Sequence, residues 1–206
     1  APAGEVARNA QLLIRAGYVH KTMAGVYSFL PLGLRVLENI KQIVREEMNK
    51  IDSQELIMST LQRKDLWEET GRWSDELVDV WFKSKLQDGT DIGFGWTHEE
   101  PIVDLLRNYL KSYKDLPIRY LETTTDYRDE QTGELGGLNR VRSLTQDDSH
   151  IFCRTDQIES EIQNLLAAAH ELYSGIGMKL RVRLSYRDDS DSYLGDLAVW
   201  ESAQKQ

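Results

Sequence analysis

The sequence lacks the features that mark secreted and membrane proteins. Its 206 residues contain one cysteine, Cys153, so no disulfide can form within them, and a reducing, cytoplasmic location is expected. No segment approaches the roughly 20 consecutive apolar residues that a membrane-spanning helix needs, so no membrane span is predicted. Only four prolines are present, and no linker rich in proline or serine divides the chain. A single domain over residues 1–206 is therefore expected.

Positive charge is also scarce. The chain has 25 lysines and arginines against 34 aspartates and glutamates, a net charge of −9. A protein that mainly grips a nucleic-acid backbone shows the opposite balance, because neutralising phosphates supplies most of its affinity. The composition therefore excludes a role as chief nucleic-acid anchor. A few well-placed arginines can still hold a small anionic ligand.

Hydrophobic patterning predicts an α+β fold with a mainly antiparallel sheet flanked by helices. Helices are predicted at residues 6–16, 34–49 and 156–175, and another begins near Pro101. Strands are predicted at residues 55–58, 92–96, 118–124, 141–152 and 180–184. The third predicted helix is expected to bury an apolar stripe of Ile158, Ile162, Leu165, Leu166, Ala169 and Leu172.

The segment with the clearest chemistry is Asp126-Tyr127-Arg128-Asp129-Glu130, which is followed by Asn139-Arg140-Val141-Arg142. Arg128 is predicted to be buried at a strand end, with the other two arginines across a hairpin. Arginine suits a phosphate site because its planar guanidinium grips two oxygens at once and stays charged. The alternative interpretation is an exposed network of charges without a ligand.

These residues, with the run Ser143-Leu144-Thr145-Gln146-Asp147-Asp148-Ser149-His150-Ile151-Phe152, resemble the second signature motif of the class II aminoacyl-tRNA synthetases. The segment from Gly33 to Ile57 resembles their first motif, which builds a dimer interface. The resemblance implies the class II fold, with its mainly antiparallel sheet. It also implies an aminoacyl-tRNA ligase that joins an amino acid to ATP and then to the acceptor end of tRNA, working as a homodimer.

The resemblance also implies roles for residues of the ATP site. Arg128 would hold the α-phosphate of ATP, which is bound with Mg²⁺, and offset charge as pyrophosphate leaves. Glu130 would accept a hydrogen bond from the adenine amino group. Arg140 or Arg142 would reach the outer phosphates, and the pattern does not choose between them. Leu144 stands where the family has an aromatic residue against adenine, which predicts weaker ATP binding.

The first 120 or so residues resemble bacterial-type prolyl-tRNA synthetases. The blocks that carry this likeness include Gly25-Val26-Tyr27-Ser28-Phe29-Leu30-Pro31-Leu32-Gly33 and Thr97-His98-Glu99-Glu100. In that family the threonine and the first glutamate of the second block line the proline pocket, so Thr97 and Glu99 are candidates. Glu99 would meet the cationic ring nitrogen of proline. The alternative is that Glu99 and Glu100 only interact with the positive end of a helix dipole.

From Leu121 onward the sequence resembles threonyl-tRNA synthetases instead. In that family Gln146 and Asp148 would help hold the substrate, and His150 would ligate a zinc ion. That zinc also needs an earlier cysteine, where this chain has Glu99-Glu100-Pro101, and a second histidine that lies in the family beyond the position at which these 206 residues end. One nitrogen ligand does not make a zinc site, so zinc is not expected and proline is favoured.

Two further departures from the family leave alternatives open. Ser59 replaces a proline after the first motif's strand, which weakens the expectation of a dimer. No third signature motif, with its closing arginine, occurs before Gln206. The chain is thus expected to be a catalytic core truncated before that motif. The alternatives to a truncated catalytic core are a non-catalytic synthetase-like domain and an engineered one.

Overall fold

The computed structural model describes residues 5–188, 190, 193 and 195–205. Among these residues the helices are α1 (Arg8–Arg15), α2 (Pro31–Asn49), α3 (Lys64–Glu68), α4 (Glu99–Tyr109), α5 (Ile158–Gly175) and α6 (Leu197–Gln204). The strands are β1 (Val19–Met23), β2 (Val26–Phe29), β3 (Gln54–Leu56), β4 (Leu61–Arg63), β5 (Lys83–Lys85), β6 (Asp91–Phe94), β7 (Ile118–Tyr127) and β8 (Ser143–Phe152). None of the described helices is long and apolar enough to span a bilayer.

The strands form three small sheets in which antiparallel pairing dominates, so the predicted α+β class is confirmed. The longest pair is the β7–β8 hairpin, in register from Ile118 opposite Phe152 to Tyr127 opposite Ser143. β3 adds to β7 in parallel. A second sheet has the order β4-β6-β5, and β1 pairs with β2, both antiparallel. The prediction that residues 141–152 return antiparallel to 118–124 is therefore correct.

The β7–β8 hairpin has two chemically distinct faces, because side chains alternate along each strand. One face packs against α2 and α5, where Met48, Leu121 and Leu165 line a shared apolar cleft. The opposite face, called the polar face below, points away from these helices. It carries Tyr120, Glu122, Thr124 and Asp126 of β7 opposite His150, Asp148, Gln146 and Leu144 of β8.

Helix α5 is held to the sheet by an ion pair rather than by the whole apolar stripe that its sequence predicts. Its one buried residue is Glu161, whose carboxylate accepts two hydrogen bonds of 2.6 Å from Arg119 on β7. Ile162 and Leu166, expected inside, are 47% and 41% exposed. That expectation was wrong because α5 is oriented with Glu161 toward Arg119, which leaves part of the apolar stripe exposed to solvent.

Four tryptophans form the core beside the second sheet and fix the end of β6. Trp67 and Trp81 are buried with their ring centroids 4.7 Å apart, and Trp73 and Trp96 pack against them. The Trp81 indole donates a 2.8 Å hydrogen bond to the carbonyl of Phe94. Because β6 ends at Phe94, this packing sets the direction in which the chain continues toward Thr97.

The strand predicted at residues 180–184 is absent from the described part of the chain. Leu180, Val182 and Leu184 alternate as a strand requires, yet they are exposed, and no ladder partner lies beside them among the described residues. A strand needs a neighbour to satisfy its backbone groups, so alternation alone was not enough. Elsewhere the predicted helices and strands exist, with ends that differ by one to three residues.

Candidate active site

A cavity of about 800 Å³ opens where the chain leaves β6 and β7. Trp96, Thr97 and Glu99 line it from the segment after β6, and Arg128 lines it from the end of β7. The two strand ends are tied together, since the amide of Tyr127 donates a 2.7 Å hydrogen bond to the carbonyl of Gly95. Three residues that the sequence singled out separately, Thr97, Glu99 and Arg128, therefore share one wall. Arg72, Tyr193 and Trp200 close other sides.

Arg128 faces this cavity without an acidic partner. It is half-buried rather than buried, which corrects the expectation from sequence, because it lies one residue beyond β7 at the cavity edge. Its Nε donates to the carbonyl of Trp96 at 3.1 Å, and its backbone amide donates to the carbonyl of Arg142 at 2.9 Å. Within the described residues no carboxylate oxygen lies within 4.0 Å of its guanidinium. An anchored arginine without a counter-ion is suited to hold an anion.

The neighbouring acids Glu99 and Glu100 have different surroundings. Glu99 is exposed to the cavity, and its carboxylate accepts a hydrogen bond from the hydroxyl of Thr97. Glu100 is buried, accepts a 3.0 Å hydrogen bond from the Thr70 hydroxyl and forms an ion pair with Arg72, also at 3.0 Å. Both acids lie in the first turn of α4, so each also interacts favourably with the helix dipole. Glu99 alone of the two has a carboxylate directed at the cavity.

The remaining residues of the expected phosphate clamp are bound to the protein itself and do not line this cavity. The carboxylate of Glu130 accepts from Nε and a terminal nitrogen of Arg140, at 2.9 and 2.6 Å. This guanidinium lowers the pKa of Glu130 below its ordinary value. Arg142 donates to the carbonyls of Glu130 and Ala24, at 3.0 and 3.2 Å, and lies 3.4 Å from the carboxylate of Asp129.

The candidates on β8 lie together on the polar face, outside the lining of the cavity. Leu144, Gln146, Asp148 and His150 follow one another at every second position. Gln146 donates a 2.5 Å hydrogen bond to the carboxylate of Asp126, and His150 lies 3.8 Å from Asp148. In the described portion of the chain no group of three histidine, cysteine or acidic residues could hold a metal ion.

A buried histidine and two carboxylates behind the cavity were not anticipated from the sequence. His98 and Asp126 are completely buried and Glu122 is 2% exposed. Nδ1 of His98 lies 2.7 Å from Glu122, and its Nε2 lies 3.8 Å from Asp126. Burial raises the pKa of Asp126, against the opposing charges of His98 and Arg128. The signal in the sequence was the alternation of Glu122, Thr124 and Asp126, which places polar groups on one face of a strand.

Comparison with known proteins gives relatives among the prolyl-tRNA ligases. The chain is 39% identical over 186 residues to proline--tRNA ligase of Staphylococcus saprophyticus and 37% identical over 184 residues to that of Bacillus subtilis. Each alignment covers 87% of this chain and 32% of the relative, so the chain spans about a third of the length of the curated relatives it matches.

Solved synthetases share the fold. A structure described as the RNA binding domain of threonyl-tRNA synthetase from Cryptosporidium parvum superimposes with a TM-score of 0.85 and 25% identity, over 95% of this chain and 49% of that one. Giardia lamblia prolyl-tRNA synthetase in complex with prolyl-adenylate gives a TM-score of 0.72 and 19% identity, over 80% of this chain and 34% of that one. At this low identity, the match to the Giardia lamblia structure shows only that the fold is shared.

The family model for the class II core domain of tRNA synthetases matches residues 81–206, more than half of the chain. This match covers the ends of β6 and β7, the whole β7–β8 hairpin and the cavity residues Trp96, Thr97, Glu99 and Arg128. The chain belongs to the tRNA synthetase class II core domain family, whose description names the G, H, P, S and T enzymes.

Proposed function

We propose that this chain is a catalytic-core segment of a prolyl-tRNA synthetase, which activates proline with ATP and transfers it to the acceptor end of tRNA. The observation that carries the proposal is the cavity in which Arg128, without an acidic partner, faces Thr97 and Glu99. A cation without an acidic partner and an exposed carboxylate at one cavity match the two charges of the reaction, a phosphate and an ammonium. The prolyl-tRNA ligase relatives at 37–39% identity favour proline.

In this proposal Arg128 binds the α-phosphate of ATP·Mg²⁺. The carboxylate of proline attacks the α-phosphorus, a mixed anhydride forms and pyrophosphate leaves. A fixed guanidinium stabilises the negative charge on the transferring group, and its anchor to the Trp96 carbonyl means that little reorganisation is needed.

Glu130, Arg140, Arg142 and Leu144 would surround the rest of ATP. One carboxylate oxygen of Glu130 is occupied by Arg140, which leaves the other available to the adenine amino group. Arg140 is half-exposed and could reach the outer phosphates by giving up its contacts with Glu130, whereas Arg142 is held by two carbonyls and lies mostly buried. Arg140 is therefore the better candidate for the outer phosphates.

Proline would bind between Thr97 and Glu99, with its secondary ammonium against the Glu99 carboxylate. A cation that loses water in a pocket needs such a partner. Gln146, Asp148 and His150 would contribute from the polar face, where Gln146 is already oriented by Asp126.

Threonine is the second candidate substrate, and two observations favour it. Gln146, Asp148 and His150 share one face of β8, as the threonyl resemblance requires. The threonyl-tRNA synthetase fragment is also a close match in fold, with a TM-score of 0.85. Against threonine, a zinc site needs at least three protein ligands, and among the described residues no such group of ligands includes His150.

The proposal extends to the assembly and location of the protein. At the start of the first motif, α2 exposes Leu32, Leu34 and Val36, and Ile57 at the end of the motif is 88% exposed. Such an apolar surface supports homodimer formation through this motif. Cys153 is a free thiol, which fits a cytoplasmic protein. In this proposal residues 1–206 belong to one catalytic-core unit, and no third signature motif occurs within them.

Amino-acid-dependent ATP–pyrophosphate exchange tests the function, measured on the complete reading frame that contains this chain. Exchange is expected with proline and not with threonine, and a zinc chelator should leave it unchanged. Arg128→Ala should abolish exchange, whereas Arg15→Ala, an exposed arginine on α1, should not. Exchange with threonine alone, lost on chelation, would replace proline by threonine. Absence of exchange with every amino acid would indicate a non-catalytic synthetase-like protein.

A further inference from the structure

A buried charged cluster lies directly behind the turn that carries Thr97 and Glu99. His98, between them in sequence, is completely buried, and its Nδ1 lies 2.7 Å from Oε2 of Glu122. Its Nε2 lies 3.8 Å from Oδ1 of Asp126, which is also completely buried. The His98 ring therefore points into the protein while its two neighbours line the cavity.

The ring is surrounded mainly by acidic groups. Glu122 and Asp126 face it from β7, and the carboxylate of Asp148 on β8 acts on it from further away. The end of β6 leaves room for the ring, because a Cβ on Gly95 would lie 2.7 Å from Nε2 of His98. From β4, the uncharged amide of Gln62 lies near the same glycine.

We propose that His98 is a positioning residue of the amino-acid site: its charged ring, hydrogen-bonded to Glu122 and facing Asp126, forms an ionic bridge between the two carboxylates and thereby fixes the turn that presents Thr97 and Glu99. The expected effect of His98 on proline binding rests on the proposed function. The bridge itself is a property of the folded chain and can be measured without that function.

The ring is hydrogen-bonded to Glu122 through Nδ1, whereas its Nε2 and Oδ1 of Asp126 are 3.8 Å apart and neither atom has a hydrogen-bond partner among the described residues. A protonated ring places a positive charge between the two carboxylates, so the contact with Asp126 is ionic and not a hydrogen bond. Two carboxylates buried without a cation would be strongly unfavourable, and the histidine supplies the charge that offsets them. Burial by itself lowers the pKa of His98, but the hydrogen bond and charge of Glu122, with the charges of Asp126 and Asp148, outweigh burial and raise this pKa above its ordinary value.

The cluster joins the two sets of residues that the proposed function assigns to the amino acid. On one side the backbone links His98 to Thr97 and Glu99. On the other side Asp126 accepts a 2.5 Å hydrogen bond from the amide of Gln146. Loss of the charge on His98 is therefore expected to loosen both sides of the site together.

The sign of the pH dependence follows from the raised pKa. At pH values below the ordinary histidine pKa of about 6.5 the ring is charged whether or not it is held, and the bridge contributes fully. The contribution is lost as the pH rises through the folded-state pKa of His98. Proline binding should therefore weaken on the alkaline side, above that folded-state pKa.

The first arm of the test is a nuclear magnetic resonance titration of ¹³C-labelled histidine side chains in the complete reading frame. The His98 signal is assigned by its loss in His98→Asn. It should titrate above the ordinary histidine pKa of about 6.5, and Glu122→Gln should move its midpoint to lower pH. A midpoint at or below that ordinary value, unmoved by Glu122→Gln, would overturn the proposal whatever the protein catalyses.

The second arm measures KM for proline and for ATP in pyrophosphate exchange from pH 6 to 9. His98→Asn should raise the proline KM about 10- to 100-fold, the cost of misplacing groups by about 1 Å, and leave the ATP KM within about twofold. It should also remove the alkaline rise in proline KM that the unmodified protein shows. His170→Asn, the same change on an exposed face of α5, should alter none of these values.

Each result of the second arm is decisive when read with the first. If His98→Asn unfolds the protein, Glu122→Gln is used in its place, because glutamine keeps a polar side chain of the same shape. This variant should shift the alkaline rise in the proline KM to lower pH. Equal losses for proline and ATP with an unchanged pH profile would show a merely structural histidine. Absence of any exchange in the unmodified protein would refute the proposed function and the positioning role, while the titration would still establish or refute the charged bridge.

Discussion

Replacement of Glu161 by glutamine tests how α5 is held against the sheet. The Glu161 carboxylate receives two hydrogen bonds of 2.6 Å from Arg119, and the two side chains are 7% and 15% exposed. Glutamine keeps the size of the side chain and one acceptor oxygen, but it leaves the arginine charge without its partner. Because Glu161 is the one buried residue of α5, the ion pair should dominate the docking of this helix.

The expected loss can be sized from the burial of the pair. Breaking a fully buried pair by removing one partner costs about 3–5 kcal/mol, and the residual exposure of Arg119 places this case lower, at about 2–3 kcal/mol. For a domain of this size 1 kcal/mol shifts the midpoint of thermal unfolding by about 2–4 °C, so Glu161→Gln should lower it by about 4–12 °C.

A second ion pair of the same geometry supplies the control. Arg45 donates to both oxygens of Glu55, at 2.6 and 2.8 Å, but these side chains are 34% and 36% exposed. Glu55→Gln should therefore change the midpoint little, since water replaces the lost contact. Calorimetry on both variants decides the matter. Equal small shifts would refute the reasoning, because they would show that burial of the Arg119 pair adds nothing to its strength.

Three further predictions concern the nucleotide site and its support. Leu144→Phe should lower the KM for ATP about fivefold, since an aromatic ring on adenine adds about 1 kcal/mol; an unchanged KM would place Leu144 away from adenine. Arg140 stabilises the charged form of Glu130, so Glu130 should stabilise the fold above its unfolded-state pKa of about 4.3. This stabilisation should be lost as the pH falls through the lowered folded-state pKa, and it is measured by comparing the denaturation of Glu130→Gln with that of the unmodified chain as a function of pH. Gly93→Ala should destabilise the fold by about 1–3 kcal/mol, because its Cβ would lie 2.6 Å from Cε2 of the buried Trp81 ring; a neutral result in urea denaturation would show that the ring can move.

The regular elements were predictable from the sequence because their patterns are local. Helix α2 shows a 3.6-residue period, β7 begins with a period-two alternation, and β8 follows it across residues 128–142. The prediction failed where the outcome depends on a partner. The alternation at residues 180–184 forms no strand, because no ladder lies beside it among the described residues. In α5 the stripe was misplaced because Arg119, 42 positions away from Glu161, draws the polar position inward.

The sequence predicted which residues form the candidate site better than it predicted the contacts between them. Thr97, Glu99 and Arg128 were chosen from separate motifs, and the fold places them around one cavity. That Arg140 is paired with Glu130, while Arg128 faces the cavity without an acidic partner, is a tertiary fact with no local signal. The burial of His98 was equally hidden, since its main partner lies 24 positions away on another strand.

The connection through Asp126 bears directly on the choice between proline and threonine. The residues of the prolyl resemblance line the cavity, and those of the threonyl resemblance lie on the polar face, yet both sets contact the same buried cluster. An amino group placed against this cluster could use Glu99 from the cavity side or Asp148 from the sheet side. The side chain of the substrate must then decide selectivity. Under the proposed function, a secondary ammonium in a ring needs one carboxylate and an apolar wall, which Glu99 and Trp96 of the cavity lining would supply together. Selection of a hydroxyl by zinc needs three protein ligands, and among the described residues no such set exists.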